Sequence, residues 1–378
     1  MKAAVLGSGL MGSVIAWDLA RAENVDGVVV ADIDPEKLVR VKKAAGKKLS
    51  TEQLNVNDAP KLSRFLKGFD VVASALPHGS LHSADVTAVK AGARLVNIAF
   101  EDEQMQLDSE AKKSGSLLVP GCGVAPGLGG ILVAEGAREL GGATEGHVMV
   151  GGLPQKPRPP FGYGLVFSIV GLLREYTDEA RIVRGGRVVK VKPFDEVKRV
   201  DFPAPIGTCE GFYTDGLATL LYSMKGFKEL DEMTLRWPGH AEKIKLLADA
   251  GFLSKQRIKV GEVEVSPHDV SAALLSKELS GGDPEDMTLM RVEVRGSAGQ
   301  IVYDIVDYYD PKNRVTSMGK TTGYTGSIVT QMVGSGEVKG KGVIPPEVAL
   351  GSEAVGKLIA ELAKRGVKIS EKQVPWAK

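Results

Sequence analysis

The sequence has few of the features on which disulfide-rich, metal-binding or membrane proteins depend. Two cysteines, Cys122 and Cys209, are too few for a disulfide framework, and no Cys or His spacing indicates a structural metal site, so we expect no metal. No apolar run reaches membrane-spanning length, and we expect no membrane contact. The first predicted strand begins almost at Met1, which leaves no room for a signal peptide, so we expect a cytoplasmic protein.

The chain also lacks an excess of charge of either sign. Its formal net charge is +1, and it has no basic arm or stripe, which argues against a nucleic-acid partner. Its 378 residues include 43% hydrophobic and 25% charged side chains, an ordinary balance for a folded globular protein. This length exceeds one typical domain, so we predict two domains.

A glycine motif stands between a predicted strand and a predicted helix near the start of the chain. Gly7, Gly9 and Gly12 follow the apolar run 3–6 with the spacing Gly-x-Gly-x-x-Gly. In a dinucleotide-binding turn the first glycine permits the tight turn, the second lets the backbone approach a pyrophosphate, and the third lets the helix pack against the strand. The motif alone is weak in a chain with 46 glycines, but its flanking strand and helix make the interpretation specific.

A second apolar run, 27–31, ends at Asp32, about 20 residues after the glycine motif. A carboxylate there accepts hydrogen bonds from the ribose hydroxyls and repels a 2′-phosphate. Because no Lys or Arg follows until Lys37, the sequence predicts NAD rather than NADP. The residues expected to contact this cofactor are Gly7, Ser8, Gly9, Leu10, Met11, Gly12, Asp32, Ile33, Asn55, Val56, Ser74, Ala75, Leu76 and Pro77.

Strand and helix patterns alternate up to about residue 120 and then change. The first part predicts an α/β fold, a Rossmann-type doubly wound parallel sheet, and the later part predicts a second α+β domain with a mostly antiparallel sheet. Later strands are predicted at 145–152, 180–191 (a hairpin), 230–237, 256–265, 288–295, 301–309 and 314–320, with helices at 240–250, 267–279, 322–333 and 352–365. We therefore expect a dinucleotide-binding domain over 1–130, completed by helices in 321–378, and a substrate-binding and dimerisation domain over 131–320.

Several polar residues are candidates for chemistry. His240 opens a helix after the turn that follows Arg236, where a side chain can face a cleft, although a histidine there is more often a cap or a structural hydrogen bonder. Cys122 lies in a Gly-Pro turn, where a small buried residue is favoured over a nucleophile. His78 and His82 have helical spacing but lack a third ligand for a metal.

The chain resembles the saccharopine dehydrogenase-like family, and within it the lysine 6-dehydrogenases, nearly from end to end. The segments that carry the resemblance are 7–12, 75–77, 123–127, 150–154, 175–177, 215–217, 234–240, 242–243 and 342–347. The resemblance implies an NAD-binding domain completed by C-terminal helices and a sheet-rich second domain that builds a homodimer. It also implies oxidative deamination of the terminal amine of lysine or a related amino acid, by hydride transfer to NAD and hydrolysis of the imine.

The same resemblance suggests roles for individual residues. His240 would be the base or proton relay, with Tyr213 in reserve, while Arg236 would hold the substrate carboxylate and Ser168 would orient the amine. Two other functions stay open: a saccharopine-type dehydrogenase or reductase that joins or cleaves a secondary amine, and an NAD-binding sensor without turnover.

The chain departs from the family pattern at a few positions. Relatives commonly carry Asp where Gly121 and Asn55 stand, and other polar residues around 169–170. Loss of a carboxylate near the nicotinamide would change the substrate or weaken the reaction.

Overall fold

The computed structural model describes residues 1–43, 46–166, 168–280 and 285–374. The chain forms two compact units. Unit 1 comprises Met1–Glu139, Ala218–Lys225 and Gly319–Ile369, and unit 2 comprises Leu140–Leu217, Gly226–Met318 and the segment from Ser370 onward. The segment Ala218–Lys225, expected in the second domain, groups with unit 1 by its contacts.

Unit 1 is built on a seven-stranded sheet with the order β17-β6-β5-β4-β1-β2-β3. Its strands are β1 (Lys2–Leu6), β2 (Gly27–Asp32), β3 (Leu49–Gln53), β4 (Val71–Ser74), β5 (Arg94–Asn97), β6 (Leu117–Val119) and β17 (Gly342–Val343). Every pair of neighbours is parallel. The chain moves outward from β1 to β3 and then returns to β4, so the strand order reverses beside β1, where ligands bind in such sheets. The predicted Rossmann-type sheet is confirmed.

Unit 1 also contains a set of helices. They are α1 (Leu10–Arg21), α2 (Pro35–Lys43), α3 (Ala59–Leu66), α4 (His78–Lys90), a 3-10 helix (Asp102–Leu107), α5 (Asp108–Ser114), α6 (Leu128–Glu139), α8 (Leu220–Ser223), α11 (Ser317–Gly334), α12 (Pro346–Ala349) and α13 (Ser352–Lys364). Residues 321–330 of α11 are all buried. The prediction of a strand over 314–320 is wrong, because α11 begins at Ser317.

Unit 2 contains a nine-stranded mixed sheet, in which β10-β11-β12-β7-β15-β16-β18 are neighbours and β8 and β9 extend from β12. The strands are β7 (Glu145–Pro154), β8 (Ala180–Arg184), β9 (Arg187–Val191), β10 (Val197–Phe202), β11 (Gly207–Tyr213), β12 (Glu229–Arg236), β15 (Asp286–Gly296), β16 (Gly299–Tyr308) and β18 (Ile369–Val374). Strands β7 and β12 are parallel, while the pairs β10–β11, β11–β12, β7–β15 and β15–β16 are antiparallel. The predicted second domain with a mostly antiparallel sheet is confirmed.

A helical layer in unit 2 packs around Phe212 of β11. It consists of α7 (Ile169–Thr177), α9 (His240–Asp249) and α10 (Pro267–Leu279), and its buried side chains form one apolar cluster with that ring. The predicted strand over 256–265 is instead a separate hairpin of β13 (Ile258–Val260) and β14 (Val263–Val265). Across the described ranges, no helix is both long and apolar enough to cross a membrane.

Candidate functional site

The glycine motif forms the turn from β1 into α1 in unit 1. Gly7 has a φ of +93°, and a Cβ there would lie 2.6 Å from the Ala75 carbonyl oxygen. A Cβ at Gly12 would overlap the Gly7 carbonyl oxygen, whereas one at Gly9 would meet no atom within 4 Å. The outer two glycines therefore let α1 pack against the strand, and Gly9 leaves open space at the helix N-terminus. This arrangement fits a pyrophosphate that accepts hydrogen bonds from the first-turn amides.

Asp32, at the end of β2, is tied directly to this turn. Its Oδ2 accepts hydrogen bonds from the Ser8 amide at 2.6 Å and the Ser8 hydroxyl at 2.7 Å, and its Oδ1 accepts one from the Asp34 amide at 2.9 Å. Burial opposes ionisation, but these hydrogen bonds outweigh it and lower the pKa of Asp32. The carboxylate is therefore ionised and fixed beside the glycine turn.

The other predicted cofactor residues lie at the same carboxyl edge of the sheet. Ser74 ends β4, and its fully buried hydroxyl has no hydrogen-bond partner in the described part of the chain. Leu10 and Met11 open α1, Ile33 follows β2, Asn55 and Val56 follow β3, and Ala75, Leu76 and Pro77 follow β4. The structure thus brings these sequence-predicted residues together at one edge of unit 1.

A buried network after β5 was missed by sequence reasoning. Asp85 of α4 accepts hydrogen bonds from the side-chain amides of Asn97, at 3.2 Å, and Gln104, at 2.6 Å. Burial raises the pKa of Asp85 to about 7. The network fixes the segment that leaves the carboxyl end of β5. No local sequence signal joins residues so far apart in the chain.

In unit 2, the guanidinium of Arg236 lies in a closed setting at the end of β12. Its Nη2 donates to Glu175 Oε2 of α7 at 2.5 Å, and its Nη1 donates to the Leu235 carbonyl at 2.9 Å. The guanidinium carbon lies 4.4 Å from the centre of the Tyr163 ring. The Arg236 side chain is 1% exposed, so the residue predicted to hold a substrate carboxylate already carries an internal one.

His240 is buried at the start of α9, and both of its ring nitrogens are occupied. Its Nδ1 lies 2.9 Å from the Phe161 carbonyl oxygen and its Nε2 lies 2.9 Å from the Tyr176 hydroxyl. Because a carbonyl only accepts, Nδ1 carries the proton and Nε2 accepts from Tyr176. Burial, together with the positive charge of Arg236, lowers the pKa of His240 to about 3. The geometry favours the structural hydrogen bonder over the predicted base.

Tyr213 and Ser168, the remaining predicted site residues, also have structural partners. The buried Tyr213 hydroxyl lies 3.3 Å from Glu196 Oε2, and its ring packs in a cluster with Met233. The Ser168 hydroxyl accepts a hydrogen bond from the Gly171 amide at 3.1 Å and caps α7. The structure therefore places Tyr213 in a different cluster from Tyr163 and Tyr176.

Glu232 is a second buried acid of β12 that sequence reasoning did not single out. Its Oε2 accepts a hydrogen bond from the Thr214 hydroxyl at 2.6 Å. Burial, with a smaller contribution from the negative charge of Glu175, raises the pKa of Glu232 to about 8. This carboxyl group is therefore mostly neutral at pH 7.

Other candidates for chemistry are engaged elsewhere. Burial raises the pKa of the Cys122 thiol well above its usual value, which favours a small packing residue over a nucleophile. His78 lies 2.9 Å from Glu101 through its Nδ1. Across the described residues, no group of three or more His, Cys, Asp or Glu side chains is arranged to hold a metal ion.

Comparisons with known proteins agree on one family. Residues 3–119 match the model of the saccharopine dehydrogenase NADP binding domain, and residues 123–367 match that of the saccharopine dehydrogenase C-terminal domain. A curated relative from Saccharomyces cerevisiae, saccharopine dehydrogenase (NADP+, L-glutamate-forming), is 21% identical over 98% of each chain. The enzyme of the same name from Pyricularia oryzae is 26% identical over 57% of this chain and 50% of its own.

One solved structure has the same fold. The apo, histidine-tagged saccharopine dehydrogenase (L-Glu forming) from Saccharomyces cerevisiae superposes with a TM-score of 0.81 at 21% identity and covers 99% of both chains. The family expected from sequence is confirmed, whereas the lysine 6-dehydrogenase group within it is not distinguished by these matches. Since the two family models together cover nearly all of the sequence, the chain belongs to the saccharopine dehydrogenase family.

Proposed function

We propose that the protein is a pyridine-nucleotide-dependent oxidoreductase that oxidises a CH–NH group of an amino-acid derivative. The observation that carries the proposal is the dinucleotide turn in unit 1, with Asp32 held at its edge, in a chain whose two halves match one dehydrogenase family. A nicotinamide cofactor held at this turn would supply the acceptor for a hydride from the carbon next to nitrogen. Water then adds to the resulting imine and releases a carbonyl compound and an amine.

The substrate that we favour is a secondary amine of the saccharopine type. The curated relatives that match this chain are named saccharopine dehydrogenases, and such a substrate carries several carboxylates. The second candidate is the terminal amine of lysine or a related amino acid, supported by the resemblance at 175–177 and 234–240. In either reaction the substrate amine must be neutral before hydride leaves. A free lysine amine has a pKa of about 10.4, so it must first lose a proton at neutral pH.

We further propose that NAD is preferred over NADP, although the curated relatives are named as NADP enzymes. The support is the ionised Asp32 carboxylate, which would repel a 2′-phosphate. Lys37 is the first cation after Asp32 in the sequence, and its Nζ lies 3.8 Å from Asp34 Oδ2 in an ion pair. The residue set is therefore suited to ribose hydroxyls.

The test follows NADH absorbance while saccharopine, lysine and other ω-amino acids are offered with NAD or NADP. We expect NADH to form with saccharopine and NAD, with glutamate released in step and no ammonia. NADH formed from lysine together with equal ammonia would instead establish the deamination. Stoichiometric NAD binding without turnover of any amine would contradict both reactions and support a sensor.

A further inference from the structure

One edge of the Arg236 guanidinium has two N–H donors, and only one of them makes a hydrogen bond. The Nε–H and Nη2–H groups of an arginine point to the same side and form the edge that takes a carboxylate with two bonds. In unit 2, Glu175 Oε2 accepts from Nη2, while the buried Nε has no partner in the part of the chain that the structure describes. One donor of the edge is thus left over.

Arg236 is held firmly in place, whereas its partner Glu175 is partly exposed. The Arg236 Nη1 donates to the Leu235 carbonyl, and the guanidinium plane lies over the Tyr163 ring. The Glu175 side chain is 23% exposed, whereas that of Arg236 is 1% exposed. Glu175 is therefore the member of the pair with access to water.

The charges of this pair also favour an exchange. A buried guanidinium needs an anionic partner, so loss of Glu175 alone is costly. Burial raises the pKa of Glu175 even though Arg236 opposes the shift, which means that its carboxylate is incompletely stabilised where it lies. If another carboxylate replaces Glu175 on Arg236, the guanidinium keeps an anionic partner and the Glu175 carboxylate is hydrated instead.

We propose that Glu175 is a resident carboxylate on Arg236, and that a carboxylate of the substrate displaces it to bind both Nε and Nη2. The incoming group gains one hydrogen bond more than Glu175 makes, on a guanidinium that is already oriented. The inference rests on the proposed function, in which the substrate is an amino-acid derivative with at least one carboxylate. It assigns Glu175 as a residue that sets the affinity for carboxylates.

Glu175→Gln tests this in the full chain. The amide oxygen can still accept from Nη2, but the competing charge is gone. The probe is glutarate, titrated calorimetrically into the NAD-bound protein. We expect Glu175→Gln to bind glutarate at least tenfold more tightly than the unmodified protein, and Arg236→Gln to lose binding.

The matched control is Glu179→Gln, which removes a nearby exposed acid paired with Lys190 and should leave glutarate binding unchanged. Equal or weaker glutarate binding by Glu175→Gln would overturn the proposal and leave the pair as a structural ion pair. Glutarate binding that survives Arg236→Gln would overturn it as well.

A second measurement needs no variant that must fold. A crystal structure of the unmodified protein with NAD and glutarate should show a glutarate carboxylate on Nε and Nη2 of Arg236, with the Glu175 side chain turned away from the guanidinium. Glutarate bound elsewhere, with Glu175 still on Nη2, would contradict displacement of Glu175. These readouts are separate from turnover, so failure to oxidise saccharopine or lysine would refute the proposed reaction without deciding the carboxylate exchange.

Discussion

At the scale of single residues, Asp32 is the basis of the proposed preference for NAD, because hydrogen bonds within the chain fix the position of its carboxylate. Its three hydrogen bonds come from Ser8 and Asp34, which hold both carboxylate oxygens at the turn. A hydrogen bond from a ribose hydroxyl to this charged carboxylate would contribute about 1.5–3 kcal/mol to binding. Asp32→Ala should therefore weaken NAD binding about tenfold or more and narrow the difference between NAD and NADP, as measured by calorimetric titration.

The control for that variant is Asp58→Ala. Asp58 Oδ1 accepts from the Lys61 amide at the start of α3, so this change should lower the melting temperature with little effect on the ratio of the two cofactor affinities. Equal or tighter binding of NADP by the unmodified protein would refute the proposed preference.

His240 was expected as the base, and the structure gives both of its ring nitrogens a partner inside the helical layer. The neutral imidazole donates to the Phe161 carbonyl and accepts from the Tyr176 hydroxyl, so we expect these contacts to contribute to stability. We expect His240→Ala to lower the free energy of unfolding by about 2–3 kcal/mol, through a lost buried hydrogen bond and a cavity. Thermal unfolding and the pH profile of kcat should be measured together. An unchanged melting temperature with a kcat about 100-fold lower would restore His240 as the base.

At the scale of elements, β12 places Glu232 in a setting that penalises its charge. Its pKa is about 8 in the folded protein, above the ordinary value of 4.5, so the folded state binds the proton more tightly. This group therefore contributes a stability that is present below about pH 4.5 and lost as pH rises toward 8. Glu232→Gln should flatten that loss and stabilise the protein at pH 8 by about 1 kcal/mol or more, measured by urea unfolding across pH.

The control for Glu232 is Glu229→Gln, at the first residue of the same strand, where the side chain accepts from the Gly185 amide near the surface. This variant should not flatten the loss of stability that Glu232 causes toward pH 8. A Glu232→Gln protein whose stability falls with pH as steeply as before would contradict the assignment.

Elements also show why part of the fold could be predicted and part could not. The turn from β1 to α1 was predictable because a local glycine spacing and its flanking apolar runs specify it. The start of α11 was not, because Asp286 of β15 accepts hydrogen bonds from the Ser317 and Met318 amides, a contact between distant segments. The pairing of Arg236 with Glu175 also depends on a tertiary contact, so Arg236 could be predicted as a site residue from the sequence but its ion-pair partner could not.

At the scale of the whole molecule, we propose a homodimer that forms through unit 2. The nine-stranded sheet ends at β10, whose Val197 is 46% exposed, and an open sheet edge is usually paired or covered. Light scattering should give a mass twice the 40.1 kDa of the chain. A monomer at the dilution used for kinetic assays would count against it.

The discontinuity of unit 1 leads to a further expectation about the whole chain. Residues 1–139 contain the complete dinucleotide turn, yet α11 supplies part of the same core: Gly323 lies so close to α1 that a Cβ would be 2.8 Å from Val14 Cβ. A fragment of 1–139 alone would expose that face of α1, whose N-terminus forms the cofactor turn. We expect the fragment to unfold without cooperativity and to lose NAD affinity at least tenfold, as measured by chemical denaturation and calorimetric titration. Fusing 319–369 to it through a Gly/Ser linker should restore both in part, whereas a fragment that binds NAD as tightly as the full chain would refute the role of α11.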